Sequence, residues 1–140
     1  MSLLEKIQVL DLKSFVDDRG ELIQLFDRDL KIVRAYVVGN FDKNTIRGFH
    51  KNFEEWKYFY VLKGSVKFII AENENNIKII ILSANKPQLL IIPPELWNGW
   101  KSLEDGSLLI GFSNRLMTNH KDERLEPFAF GKDIWEVKNR

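Results

Sequence analysis

Cysteine is missing from this chain of 140 residues. Its absence excludes disulfide bonds, thiolate nucleophiles, zinc–thiolate sites and iron–sulfur clusters. A chain without cysteine is compatible with a reducing compartment, and we predict a cytoplasmic protein. Charged residues interrupt the apolar positions within residues 1–13, so no signal peptide is expected there.

A large net charge is also lacking, because 21 basic residues face 20 acidic ones and the formal charge is +1. No global field therefore attracts nucleic acid or an anionic membrane, and neither is expected as a partner. No apolar run approaches the ~20 residues that a membrane-spanning helix needs. A local basic patch remains compatible with binding a diphosphate.

Helical periodicity is absent too, since no window of a dozen residues carries an amphipathic stripe. Short runs rich in Val, Ile, Phe and Tyr alternate instead with turns that contain Gly, Asn or Asp. This spacing predicts an all-β sandwich or barrel, and no linker or repeat divides residues 1–140 into more than one domain. The predicted strands cover residues 7–11, 22–26, 32–38, 56–62, 65–71, 77–82, 88–92 and 107–112.

One polar segment gives a weaker signal. Residues 117–126 predict a short helix or a loop, with the charged stretch 121–124 as a solvated loop and His120 at the surface.

Two segments carry residues that suit chemistry. Residues 46–52 read Ile-Arg-Gly-Phe-His-Lys-Asn, and residues 91–100 read Ile-Ile-Pro-Pro-Glu-Leu-Trp-Asn-Gly-Trp. With the intervening residues 55–66, they resemble the two motifs of the cupin superfamily, and more narrowly the dTDP-4-dehydrorhamnose 3,5-epimerase family. The resemblance extends from Asp18 to about Asn114. It implies a double-stranded β-helix, which is a jelly-roll-like barrel, and a homodimer.

Metal-binding cupins place three His and one Glu at four positions of these motifs. The corresponding residues here are His50, Asn52, Lys57 and Asn98. One imidazole, two amides and an ammonium make a poor site for a divalent metal, because Lys adds a competing positive charge. We therefore predict neither a metal nor another cofactor.

The residues that remain suit metal-free chemistry next to a ketone. A neutral His can remove a proton α to a carbonyl when a nearby cation stabilises the enolate oxygen. The resemblance assigns these roles to His50 and Lys57, and it pairs the His with a C-terminal Asp, for which Asp133 is the candidate. It also assigns Arg47 and Arg19 to the nucleotide diphosphate, with Arg19 often reaching the partner subunit's site.

Four further residues are candidates for contacting substrate. Gln24 stands where the epimerase family commonly has Glu, and Asn52 and Asn98 are expected to contact sugar hydroxyls. Tyr60 completes the set, although aromatic residues of this region also suit a core or a dimer interface.

One departure from the epimerase pattern and one from the ketoisomerase pattern leave the reaction open. That family has a Tyr acid on the strand after the second motif, whereas residues 111–117 contain no Tyr. Sugar-nucleotide 3,4-ketoisomerases are closer in length, and Arg34-Ala35-Tyr36 looks like their Arg-x-Tyr strand. They usually carry His-x-His, however, where this chain has Asn52 as the second residue.

The sequence thus predicts an epimerase or ketoisomerase of a nucleotide-linked 4-keto-6-deoxy sugar, acting in surface polysaccharide precursor synthesis. A non-catalytic cupin that binds a sugar or nucleotide is the first alternative. A small metal-dependent cupin oxidase or isomerase is the second, and metal analysis of the purified protein separates it from the others.

Overall fold

The computed structural model describes residues 2–117 and 122–140. Two short 3-10 helices, Leu3–Lys6 and Asp133–Trp135, flank twelve strands within these ranges. The strands are β1 (Gln8–Asp11), β2 (Ser14–Asp17), β3 (Gly20–Ile23), β4 (Arg34–Gly39), β5 (Ile46–Asn52), β6 (Lys57–Lys63), β7 (Ser65–Asn73), β8 (Asn76–Ser83), β9 (Gln88–Ile92), β10 (Trp97–Ser102), β11 (Leu108–Ser113) and β12 (Asp122–Arg124).

Two five-stranded antiparallel sheets form the body of the protein. The first sheet has the order β1-β9-β6-β11-β4, and the second has the order β12-β5-β10-β7-β8. Strands β2 and β3 form a separate hairpin around Asp18 and Arg19, at the turn that the sequence predicts. The prediction of an all-β fold, a double-stranded β-helix, is confirmed. Among the described residues, no helix has the length and apolarity to cross a bilayer.

The main core lies between the two sheets. Alternate residues of β6, such as Phe59 and Val61, meet Phe68 and Ile70 of β7 there, and all four side chains are buried. Each side chain of this kind contributes about 1.5–3 kcal/mol through the removal of apolar surface from water. The facing phenyl rings of Phe59 and Phe68 have centroids 5.4 Å apart.

Both sheets are also covered on their outer faces. Tyr58 and Tyr60 of β6 pack outside the first sheet, beneath apolar residues of segment 23–32. On the outer face of the second sheet, Phe49 and Ile69 pack against Trp135, whose Nε1 donates a hydrogen bond to the carbonyl of Pro127 at 2.8 Å. Burial on both faces explains why β6 and β7 have nearly continuous apolar sequences rather than alternating ones.

Four strands lie outside the predicted apolar runs: β2, β5, β10 and β12. Strand β12 corrects the prediction of a helix or solvated loop at residues 122–124, because Asp122–Arg124 pairs with β5. Its sequence, Asp-Glu-Arg, has no apolar alternation, and pairing with a strand 72 residues away in sequence gives it its conformation. His120 lies outside the described residues.

Candidate active site between the sheet edges

A cavity of about 650 Å³ opens where β4, at the edge of the first sheet, faces β5 and β12 of the second. This volume is typical of a small-molecule site. Cationic and acidic side chains line it together with one imidazole and one phenol: Arg34, Arg47, Lys57, Arg124, Glu55, Asp122, His50 and Tyr36.

His50 lies on the β5 wall of the cavity and is half-buried. Its Nδ1 is 3.2 Å from Oδ2 of Asp122, which β12 brings alongside β5. Burial lowers the pKa of His50, and the negative charge of Asp122 opposes that shift. A neutral imidazole that donates its Nδ1–H to Asp122 leaves the Nε2 lone pair available as a base.

Lys57, Glu55 and Arg34 form a buried chain of charges beside His50. The Nζ of Lys57 is 3.6 Å from Oε1 of Glu55, and Oε2 of Glu55 accepts a hydrogen bond from Nη2 of Arg34 at 3.1 Å. The Glu55 side chain is completely buried and that of Lys57 is 11% exposed. Burial lowers the pKa of Lys57, and Glu55 is the strongest influence in the opposite direction.

Tyr36 of β4 also lines the cavity, and a glycine on the neighbouring strand makes room for it. Tyr36 is paired with Gly111 of β11, and a Cβ atom added to Gly111 would overlap the Tyr36 ring and hydroxyl. Burial, assisted by the charge of Glu55, raises the pKa of Tyr36 to about 12. The phenol is therefore protonated at neutral pH and can donate a hydrogen bond.

Arg47 sits at the exposed side of the same cavity. Its Nε donates to Oδ1 of Asn40 at 2.7 Å and its Nη2 to the carbonyl of Gly39 at 3.2 Å. Its guanidinium carbon is 5.8 Å from the centre of the Trp100 ring. These contacts hold the guanidinium at the cavity mouth, a position suited to an anionic group.

The structure brings together three of the predicted site residues, His50, Lys57 and Arg47. Arg19 lies elsewhere within this chain, exposed in the β2–β3 hairpin with Nη2 2.6 Å from Oδ2 of Asp17. Gln24 follows β3, where its backbone N–H donates to the carbonyl of Lys13. Neither lines the cavity of its own chain.

The carboxylate partner of His50 requires a correction. We predicted Asp133, but the structure places Asp122 against the imidazole. Asp133 instead begins the C-terminal 3-10 helix, whose Trp135 packs behind β5 against Phe49. The helix is held on the outer face of the second sheet, and the cavity opens elsewhere.

Tyr60 does not line the cavity, because it lies three residues from Lys57 on β6. Side chains alternate between the faces of a strand, so Lys57 points to the interior and Tyr60 to the outer cluster with Leu89 and Ile91. The structure therefore places Tyr60 outside this cavity, and its contact with substrate stays a prediction.

The two Asn residues also have other tasks in the structure. Oδ1 of Asn52 accepts hydrogen bonds from the backbone N–H groups of Glu54 and Glu55, at 2.9 and 2.8 Å. Nδ2 of Asn98 donates to the carbonyl of His50 at 3.2 Å. Neither lines the cavity, and both fix the backbone around the site, so their contact with sugar hydroxyls stays a prediction.

Five of the charged or phenolic residues that line the cavity were not among the predicted site residues. The Arg-x-Tyr pattern, which resembles that of the ketoisomerases, is the sequence signal that points to Arg34 and Tyr36. Glu55, Asp122 and Arg124 carry no local signal, because the first precedes a strand and the others lie on β12. Among the described residues, no three His, Cys, Asp or Glu side chains converge as a metal-binding group.

Two antiparallel sheets with a cationic cavity between their edges define a cupin-like β-sandwich. The profile of the family described as FdtA, "WxcM-like, C-terminal", matches residues 5–123, and the chain belongs to this family. Curated protein sequences gave no match.

Solved structures share the fold. QdtA, a sugar 3,4-ketoisomerase from Thermoanaerobacterium thermosaccharolyticum in complex with TDP, has a TM-score of 0.75 and 24% identity, over 91% of this chain and 93% of QdtA. WlaRB, a TDP-quinovose 3,4-ketoisomerase from Campylobacter jejuni, has a TM-score of 0.72 and 23% identity, over 83% of this chain and 92% of WlaRB. The dTDP-4-dehydrorhamnose 3,5-epimerase of Bacillus anthracis has a TM-score of 0.76 and 19% identity, over 89% of this chain and 81% of the epimerase. These enzymes belong to the two classes that the sequence predicts.

Proposed function

We propose that the protein catalyses 3,4-ketoisomerisation of a nucleotide-linked 4-keto-6-deoxy sugar, in the supply of surface polysaccharide precursors. The observation that carries the proposal is the convergence of the His50–Asp122 pair, the Lys57 ammonium and the Tyr36 phenol on one cavity. The family match and the similarity to 3,4-ketoisomerases, which extends over nearly their full lengths, support it.

Each group has one task in the reaction. His50 removes the proton from C3 of the 4-keto sugar, and the electron pair moves to O4 to give an enediolate. The Lys57 ammonium stabilises this oxygen, and the Tyr36 phenol donates a hydrogen bond to it. The proton of O3 then passes to O4, which becomes a hydroxyl, and the electron pair left on O3 forms the 3-ketone as protonated His50 gives the proton taken from C3 to C4. No step of this sequence needs a metal or a cofactor.

Arg47 and Arg124 hold the diphosphate at the mouth of the cavity in this proposal. A guanidinium can bind phosphate oxygens through two parallel hydrogen bonds. Arg19 of the β2–β3 hairpin contributes to the cavity of the second subunit in a homodimer, and Gln24 supports the hairpin there. Arg19 is 87% exposed at its side chain, which leaves it accessible to such a partner.

Epimerisation is the second candidate, because His50 and Tyr36 provide two proton-transfer groups from different sheets. A Tyr36 phenol that returns a proton to the opposite face of the carbon would invert it. The epimerase family has its Tyr on the strand that corresponds to β11, whereas this chain has Gly111 there, covered by Tyr36. The contact of the Tyr36 ring with Gly111 of β11 is the observation that keeps this candidate.

Product analysis tests the proposal. The protein is incubated with TDP-4-keto-6-deoxyglucose, the sugar bound in a solved His-to-Asn variant of QdtA, and the product is identified by proton and carbon NMR. A 3-keto sugar supports the ketoisomerase, and a 4-keto epimer at C3 or C5 supports the epimerase instead. An unchanged sugar that binds the protein contradicts both and supports the binding-module alternative.

A further inference from the structure

We propose that Glu55 is a positioning residue that holds the Lys57 ammonium toward the reacting oxygen of the sugar, and that Asn52 holds Glu55 in place for this task. The inference rests on the proposed function of Lys57. It assigns roles to two residues that touch neither the reacting carbons nor the diphosphate in the proposed mechanism.

The carboxylate of Glu55 faces two cations from different strands. Oε2 accepts the hydrogen bond from Nη2 of Arg34 on β4, and Oε1 is 3.6 Å from Nζ of Lys57 on β6. Arg34 itself lies with its guanidinium carbon 5.2 Å from the centre of the Tyr36 ring. The Arg34 contact fixes the direction of the Glu55 side chain, so the second oxygen is directed at Lys57.

Stability does not explain why a carboxylate is buried here. Removing paired charges from water costs about as much as their attraction returns, and an apolar group of similar volume serves a core equally well. Lys57, in contrast, needs a counter-ion to perform its proposed task. Burial favours the neutral amine, and an amine carries no charge with which to stabilise an enolate.

The charges around Lys57 identify Glu55 as the group that opposes this loss. Burial lowers the pKa of Lys57, Glu55 raises it most, Asp122 on β12 also raises it, and Arg34 lowers it. His50 faces the same cavity from β5, and burial lowers its pKa, which favours the uncharged imidazole. Removal of the Glu55 charge therefore shifts the protonation of Lys57 toward the amine.

Asn52 fixes the backbone that carries Glu55. It ends β5, two residues after His50, and its Oδ1 accepts the N–H groups of Glu54 and Glu55. A side-chain oxygen that receives two consecutive backbone donors closes the turn between β5 and β6. The position that supplies the second His ligand in metal-binding cupins thus serves here to orient the acid that supports Lys57.

Glu55→Gln tests the inference because it removes the charge and keeps the size and one oxygen acceptor for Arg34. We expect kcat to fall by at least about tenfold. This loss should be smaller than the ~100- to 1000-fold loss that removal of an oxyanion donor typically causes. We expect KM to change little and the basic limb of the kcat profile to move to lower pH, since Lys57 loses its proton more easily. Glu55→Asp should recover part of the activity.

Glu54→Gln is the matched control, because Glu54 is the adjacent residue and its exposed carboxylate pairs with Arg115 at the surface. Its kcat and pH profile should equal those of the wild type. Thermal unfolding of both variants shows whether either has lost its fold.

A titration that does not depend on turnover separates this inference from the proposed function. The Lys57 side chain is followed by carbon NMR of the Cε resonance, assigned with Lys57→Arg, in the wild type and in Glu55→Gln. A lower pKa of Lys57 in the variant supports the inference, even if the wild type transforms no keto sugar and the proposed function fails. An unchanged pKa of Lys57, or an active wild type whose Glu55→Gln variant keeps its kcat and basic limb, overturns it.

Discussion

Replacement of Asp122 by Asn changes the only carboxylate that the described residues place against the imidazole of His50. The variant keeps the shape of the side chain and the pairing of β12 with β5, and it removes the negative charge. Because Asp122 raises the pKa of His50, the variant should have a still lower His50 pKa. The base is active in its neutral form, so the acid limb of the kcat profile should move to lower pH.

The size of the effect follows from the hydrogen bond. A hydrogen bond to a charged group contributes about 1.5–3 kcal/mol, and each ~1.4 kcal/mol corresponds to tenfold in rate. The His50 side chain is 36% exposed, so solvent screens part of the interaction. We therefore expect kcat to fall about tenfold, with little change in the affinity for TDP measured by calorimetry.

Asp133→Asn is the matched control, because it makes the same chemical change in the other candidate partner of His50. Asp133 lies in the C-terminal 3-10 helix, and we expect wild-type kcat and an unmoved acid limb. The reasoning is refuted if Asp133→Asn loses activity while Asp122→Asn keeps it.

Four further predictions follow from the same geometry. Gly111→Ala should displace the Tyr36 ring and lower kcat by about tenfold or more while TDP still binds, since small misplacements of reacting groups are costly. Tyr60→Phe should leave steady-state kinetics unchanged, because its hydroxyl belongs to the outer cluster. Ile70→Ala should lower the free energy of unfolding by about 2–5 kcal/mol in urea titrations. In the wild type, the acid limb of kcat/KM should have its midpoint below 6.5, the ordinary histidine value, because burial lowers the pKa of His50; a midpoint above that value contradicts the role of burial.

The parts of the site that sequence reasoning located are the ones that local pattern determines. His50 and Lys57 lie on adjacent segments of the first motif, and a motif with fixed spacing places its residues relative to one another. The outward position of Tyr60 could also be predicted from the strand period, because residues three apart on a strand face opposite sides. The fold class was also predictable from local pattern, because short apolar runs and turns recur along the chain.

The partner of His50 was not predictable in this way. Asp122 is 72 residues from His50, and a three-residue strand of charged side chains brings it there. Such a strand has no intrinsic preference that reveals it, because pairing with β5 supplies its hydrogen bonds. Glu55 was missed for a related reason: its burial depends on Arg34, which arrives from another strand.

The central claim is that His50 removes a proton next to the ketone of a nucleotide-linked sugar. Proton NMR of TDP-4-keto-6-deoxyglucose in D2O tests it most directly, with wild-type protein and His50→Asn in parallel and TDP binding measured for both. The account predicts exchange of a ring proton next to the ketone with the wild type, and its loss in a His50→Asn variant that still binds TDP. Absence of exchange with wild-type protein, or equal exchange with His50→Asn, would contradict the account.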